Sequence, residues 1–179
     1  MGPELHHVSL PVENLARSRE FYAGVLGLIE VPRPGPFEAG PKSFPGAWYQ
    51  LGSGQLHLIV SDPGRASPPT YRTNKKLDAR DVHVALRVRS FAKALEVLTT
   101  KGYRVGHPDD FKDMRVSPNL PHQGAGFPQI YILDPDRHTV EINAETLDIA
   151  PERLAALDIG IPREEIARFS HEATRIAPP

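Results

Sequence analysis

The chain has 179 residues, a formal net charge of −1 and no cysteine. A near-neutral protein offers no general attraction to nucleic acid or to an anionic membrane. The missing thiols exclude disulfides, thiolate metal sites and cysteine nucleophiles, which leaves His, carboxylate and Tyr as the strong ligands.

In chain order, the N-terminal MGPELHHVSL lacks the basic segment and apolar run of a signal peptide. No stretch approaches the ~20 apolar residues of a membrane span, so the expectation is a soluble, cytoplasmic protein. Leu5 to Val12 alternates with strand periodicity, placing His6, Val8, Leu10 and Val12 on one face and His7 and Ser9 on the other. Asn14 is the expected N-cap of a helix from Leu15 to Leu26, with Gly27 as its stop. Leu28 to Pro32 is extended, and the Pro- and Gly-rich run from Arg33 to Gly46 reads as a loop. Ala47 to Leu51 and Gln55 to Val60, flanking Gly52-Ser53-Gly54, read as a hairpin. Residues 1–61 thus form a βαβββ module.

Residues 62–80 are a polar insertion carrying Arg72, Lys75, Lys76 and Arg80, which reads as a solvated linker or as a lid over an open site. The order then repeats over residues 81–144. A strand Val82 to Val88 precedes a helix Phe91 to Lys101, capped by Ser90 and stopped by Gly102. Tyr103 to Gly106 is the expected third element of this half, followed by a long loop from His107 to Gly126 that contains Lys112 and Arg115. Pro128 to Leu133 and His138 to Asn143 make a second hairpin across DPDR. Residues 145–179 turn helical, at Pro151 to Leu157 and again from Pro162, where Ile166, Phe169 and Ala173 share a side. That tail is too short for a core of its own, so its apolar stripe is expected to pack on the modules or on a second subunit.

The two halves are echoes of one another. HVSLPV (His7 to Val12) aligns without a gap on HVALRV (His83 to Val88), and Leu15, Ala16 and Phe21 match Phe91, Ala92 and Val97. Such self-similarity marks a duplicated supersecondary unit, whose equivalent residues fall around a pseudo-twofold axis. The strand faces opposite the apolar rows carry His7, His57, His83 and Glu141. Period-two alternation makes that a geometric statement, because one residue of slip would exchange the faces. His7 is equivalent to His83, and His57 is nearly equivalent to Glu141. Three imidazoles and one carboxylate suit a divalent first-row cation with two octahedral positions left open.

These segments resemble the vicinal oxygen chelate superfamily, which includes glyoxalase I, fosfomycin resistance proteins, bleomycin resistance proteins and extradiol dioxygenases. The resemblance rests on HHVSLPVENLARSREFYAGVLGL, LGSGQLHLIV, DVHVALRV and YILDPDRHTVEIN, which span both modules but not the tail. It implies an α+β fold in which two tandem βαβββ modules form a curved, cup-shaped mixed sheet with helices outside. It also implies a divalent metal (Zn, Ni, Mn, Co or Fe) held by His7, His57, His83 and Glu141. The expected activity is that of a glyoxalase-like lyase or isomerase acting on a small oxygen-rich substrate and stabilising an enediolate or related oxyanion, with Glu141 moving the proton. The alternatives are an extradiol dioxygenase using His7, His83 and Glu141, a fosfomycin-type thiol transferase, and a metal-free small-molecule binding protein.

Two departures stand out. His57 occupies a position where typical glyoxalase I enzymes have Glu, so a dication here would keep a net single positive charge and favour an anionic oxygen ligand. Arg137 replaces the usual Gly of the LDPDGH turn, which predicts local strain. Arg87, Tyr49 and Tyr131 are the substrate-binding candidates, with ordinary packing or an ion pair as the other reading of each. His6 is expected at a strand edge, and His107, His122 and His138 at the surface. A homodimer is expected, with each site closed within one chain or across two.

Overall fold

In a computed structural model, residues 2, 4–34, 44–61, 74–120 and 126–168 are described. The strands are β1 (His7–Val12), β2 (Glu30–Val31), β3 (Gly46–Leu51), β4 (Gly54–Val60), β5 (His83–Val88), β6 (Met114–Ser117), β7 (Gln129–Leu133) and β8 (Thr139–Ala144). They form two open four-stranded sheets, ordered β1-β4-β3-β2 and β5-β8-β7-β6. In each sheet the first and last strands of the module run parallel, β1 with β4 and β5 with β8, and the other pairs are antiparallel. The fold is α+β, built from two tandem βαβββ modules.

Two compact units result, Met1–Lys76 with Asp134–His138, and Leu77–Leu133 with Thr139–Pro179. The Asp134–His138 turn is counted with the first unit because its polar groups are used there. Asp136 accepts from the Glu13 amide at 3.0 Å, from the Ser18 hydroxyl at 3.2 Å and from Arg17 at 3.2 Å. Tyr22 donates its hydroxyl to Asp134 at 2.8 Å. Burial pushes the Tyr22 phenol well above its ordinary pKa, reinforced by the Asp134 charge. His138, expected at the surface, instead lies 2.8 Å from the Pro11 carbonyl through Nε2, because the turn folds back onto β1. Arg137 takes a φ of 64°, the left-handed conformation that a Gly would adopt without steric cost.

The first helix begins as α1 (Leu15–Arg19), with the Asn14 side chain accepting from the Arg17 amide as the sequence predicts. It then widens into a π-helical turn over Glu20–Val25 that buries Phe21 and Tyr22, and ends at Gly27 with φ 70°. Helix α2 (Phe91–Thr100) is capped by Ser90 and buries Phe91, Leu95 and Leu98, the one-sided spacing of an amphipathic helix.

The second strand of the second module is displaced from its expected place. Tyr103–Gly106 makes only an isolated bridge between Arg104 and Asp113, and Gly106 turns the backbone at φ 67°. The strand is β6, inside the segment read as loop, where Met114 and Val116 are buried and alternate with Arg115 and Ser117. Val82, the expected first residue of that module's first strand, instead precedes β5 and is 97% exposed. In the tail, α3 (Pro151–Ala155) buries Leu154, and a helix over 163–168 buries Ile166. Arg72, His122, Phe169 and Ala173 lie outside the described residues. Among the described residues no helix is long and apolar enough to cross a membrane.

Candidate metal centre

Strand pairing fixes which side chains share a face. In the first sheet Ser9 and Trp48 both sit opposite His57, and His7 sits opposite Gln55. His7, Trp48 and His57 therefore project together, away from Leu56 and Leu58. The His57 imidazole stacks on the Trp48 indole, with centroids 3.8 Å apart and planes 13° from parallel. The His7 ring lies 5.0 Å from the indole and 5.9 Å from the His57 ring. His57 is only 7% exposed. Its pKa falls to about 4, mainly through burial, with His7 and Arg33 adding like-charge repulsion. A neutral imidazole is the form that carries a free lone pair for a cation.

His6 takes part after all. Its Nδ1 is 2.7 Å from Nδ1 of His7, so one of those nitrogens donates and the other accepts. That contact occupies the Nδ1 side of His7 and leaves its Nε2 for another partner.

The second sheet repeats the arrangement with a carboxylate. Ala85 and Tyr131 flank Glu141, and His83 pairs with Thr139, so His83, Tyr131 and Glu141 share one face. His83 Nδ1 lies 2.6 Å from the Asp81 carbonyl, which can only accept, so Nδ1 carries the proton. Its Nε2 is 2.9 Å from Glu141 Oε2. The other oxygen of Glu141 accepts from the amides of Gln129 at 3.0 Å and Asn143 at 2.9 Å. Two lone-pair atoms that close require a proton or a cation between them. Ligands at right angles on a cation with bonds of about 2.1 Å stand about 3 Å apart, so this pair suits a divalent metal. Backbone and amide partners that orient each ligand are the usual outer shell of such a site.

Each unit thus brings two candidate side chains onto one sheet face, His7 with His57 and His83 with Glu141. Among the described residues no group of three or more His, Asp or Glu side chains that could hold a metal is assembled.

The substrate-binding candidates divide. Tyr131 faces the same way as Glu141, with its ring 5.7 Å from that of His83 and its hydroxyl donating to Gln129 at 3.1 Å. Tyr49 does not share the His57 face. It sits opposite Leu56 and is fully buried 6.0 Å from Tyr22, because the two-residue turn at Gly52-Ser53 puts Trp48, one position earlier, beside His57. Trp48 is the true counterpart of Tyr131. Arg87 shares the Glu141 face, but its charge is committed. It donates to Asn143, lies 3.6 Å from Glu145 and covers the Phe127 ring at 3.9 Å.

A family model described as the Glyoxalase/Bleomycin resistance protein/Dioxygenase superfamily matches residues 4–142, both modules without the tail. The chain belongs to that superfamily. This member of the vicinal oxygen chelate group is 28% identical over 149 residues to "Glyoxylase I 4" of Arabidopsis thaliana, covering 82% of the chain and 74% of the relative. A glyoxalase family protein of Bacillus anthracis has the same fold at TM-score 0.55 and 18% identity, over 82% of this chain and 98% of the other. So does a mutant of the fosfomycin resistance protein FosX from Listeria monocytogenes, solved with Mn(II) and a dihydroxypropylphosphonic acid, at TM-score 0.54 and 19% identity over 87% and 99% of the chains. In this glyoxalase-superfamily chain, Trp48, Gln129, Asn143, His6 and Asp81 were passed over by sequence reasoning. The signal for Gln129 and Asn143 was present in their parity with Glu141, since strand alternation aligns all three.

Proposed function

We propose that this chain is a divalent-metal-dependent enzyme of the glyoxalase type, with His7, His57, His83 and Glu141 as the ligand set. The observation carrying this reading is the His83–Glu141 pair, whose Nε2 and Oε2 atoms stand 2.9 Å apart on one sheet face. A Zn, Ni, Mn, Co or Fe dication, when bound, supplies Lewis acidity for negative charge growing on a substrate oxygen. The four ligands require the two pairs to meet, within one chain or across a homodimer. A soluble homodimer in the cytoplasm is the setting that fits this chemistry.

The chain's own groups then have defined tasks. Glu141 is the residue that exchanges a proton with a carbon next to the substrate carbonyl, while Gln129 and Asn143 hold Oε1 and keep the carboxylate in one orientation. Tyr131 presents a hydroxyl on the same face, and burial keeps that phenol protonated by raising its pKa, with the Glu141 charge adding to the effect. The reaction class that follows is isomerisation or lysis of a small substrate with adjacent oxygens. Turnover of a hemithioacetal by purified protein should vanish on chelation, return with divalent metal, and drop at least ~100-fold in Glu141→Gln. Metal-independent turnover would contradict the reading.

A second reading is an extradiol dioxygenase with His7, His83 and Glu141 as a facial triad around ferrous iron. It leaves His57 to its stack on the Trp48 indole and needs only the other three side chains. Iron-dependent oxygen uptake with catechols selects it over proton-transfer chemistry.

A further inference from the structure

A cavity of about 470 Å³ opens in the first unit beside His57. That is a size suited to a small-molecule ligand. Val31, Phe44, Pro45 and Trp48 give it an apolar and aromatic wall. Phe44 is 46% exposed at this position, a large apolar ring left partly open to solvent. Two charged side chains join the lining, Glu30 and Arg33. Glu30 is neutralised by Arg19, whose guanidinium meets both carboxylate oxygens at 2.7 to 3.2 Å. Arg33 has no ion-pair partner among the described residues. Among the described residues the cavity therefore carries one cation without an ion-pair partner, beside an apolar wall and the His57 imidazole. Arg87 lacks that property, since its guanidinium is already engaged by Asn143, Glu145 and Phe127.

We infer that this cavity binds the body of the substrate, and that the substrate class is an aromatic or similarly bulky apolar acid whose anionic group pairs with Arg33. The inference rests on the reading that the His57 face is the substrate side, and it names what enters there. A guanidinium recognises a carboxylate by paired N–H donors. An apolar body would cover the exposed Phe44 ring, which a small hydrophilic substrate would not.

Trp48 is the single tryptophan of the chain and lines this cavity, so its fluorescence responds to a ligand bound there. The full-length protein, stripped of metal with chelator and again loaded with Mn(II), is titrated with 3-phenylpropionate, with the neutral 3-phenylpropan-1-ol and with butyrate. The expected result is a saturable Trp48 shift with phenylpropionate in both forms, at least ~10-fold weaker for the alcohol and for butyrate. Arg33→Met should remove the preference for the acid over the alcohol, and Arg33→Lys should restore part of it. Equal binding of acid and alcohol, or an Arg33→Met variant with unchanged preference, would overturn the inference, as would no Trp48 response in either form. Binding by the chelated protein together with a failure to take up Mn(II) would uphold the cavity and defeat the metal reading, so the two stand apart.

Discussion

His57 concentrates the physics of the first module in one side chain. It is buried against an indole and neutral down to a pKa of about 4, whereas an unfolded chain would protonate it near the ordinary 6.5. The folded state thus disfavours the proton. Stability is full above the unfolded pKa and is lost as pH falls from about 6.5 towards 4. Urea unfolding of metal-free protein at pH 7 and pH 5 should reveal a loss of about 1–2 kcal/mol that His57→Phe lacks. In the second module, Gln129 and Asn143 act on Glu141 without needing to touch substrate themselves. Gln129→Met or Asn143→Leu should weaken divalent-metal binding ~10- to 100-fold in a chelator competition while leaving the fold intact, the loss typical of removing an outer-shell partner. These two amides were readable from strand parity. Trp48 was not, because matching Tyr49 to Tyr131 by letter ignores the register, which the short turn in one hairpin and the longer DPDR turn in the other set differently.

At the scale of the element, strands and helices with clean periodicity and caps were legible: β1, β4, β5, β8 and α2 fall within a residue or two of where alternation, Ser90 and the glycine stops put them. Strand β6 was hidden because four residues are too few for alternation to stand out inside a loop. The π-helical widening of the first helix has no sequence signature beyond its glycine. Gly46 shows what the hairpin demands. A Cβ there would fall within van der Waals radius of the Leu58 carbonyl, 2.2 Å away, and 3.1 Å from His57 Nε2. Gly46→Ala should therefore cost about 3 kcal/mol in urea unfolding and disturb the Trp48–His57 stack, visible as a shift in Trp emission. At Gly27, where φ is positive but space is open, the same change should cost only about 1 kcal/mol.

For the whole molecule, the turn at Asp134–His138 ties late sequence to the first unit through Asp136, which gathers a backbone amide, a hydroxyl and a guanidinium. Asp136→Ala should lower stability by about 1–2 kcal/mol, measured by urea unfolding, since the Glu13 amide, the Ser18 hydroxyl and Arg17 lose a shared acceptor. The duplication, the fold class and the face of each candidate ligand could all be read from the repeat of HVSLPV in HVALRV. Whether the two side-chain pairs serve one cation could not, since alternation fixes only the face of a strand. The central claim is that His7 and His57 join His83 and Glu141 around a single cation. Elemental analysis of purified protein, with its mass in solution and the same measurement on His7→Ala and Glu141→Ala, addresses it most directly. The account predicts one divalent metal per chain in the parent protein and its loss from both variants, whereas a parent that binds no stoichiometric metal, or variants that keep it, would contradict it.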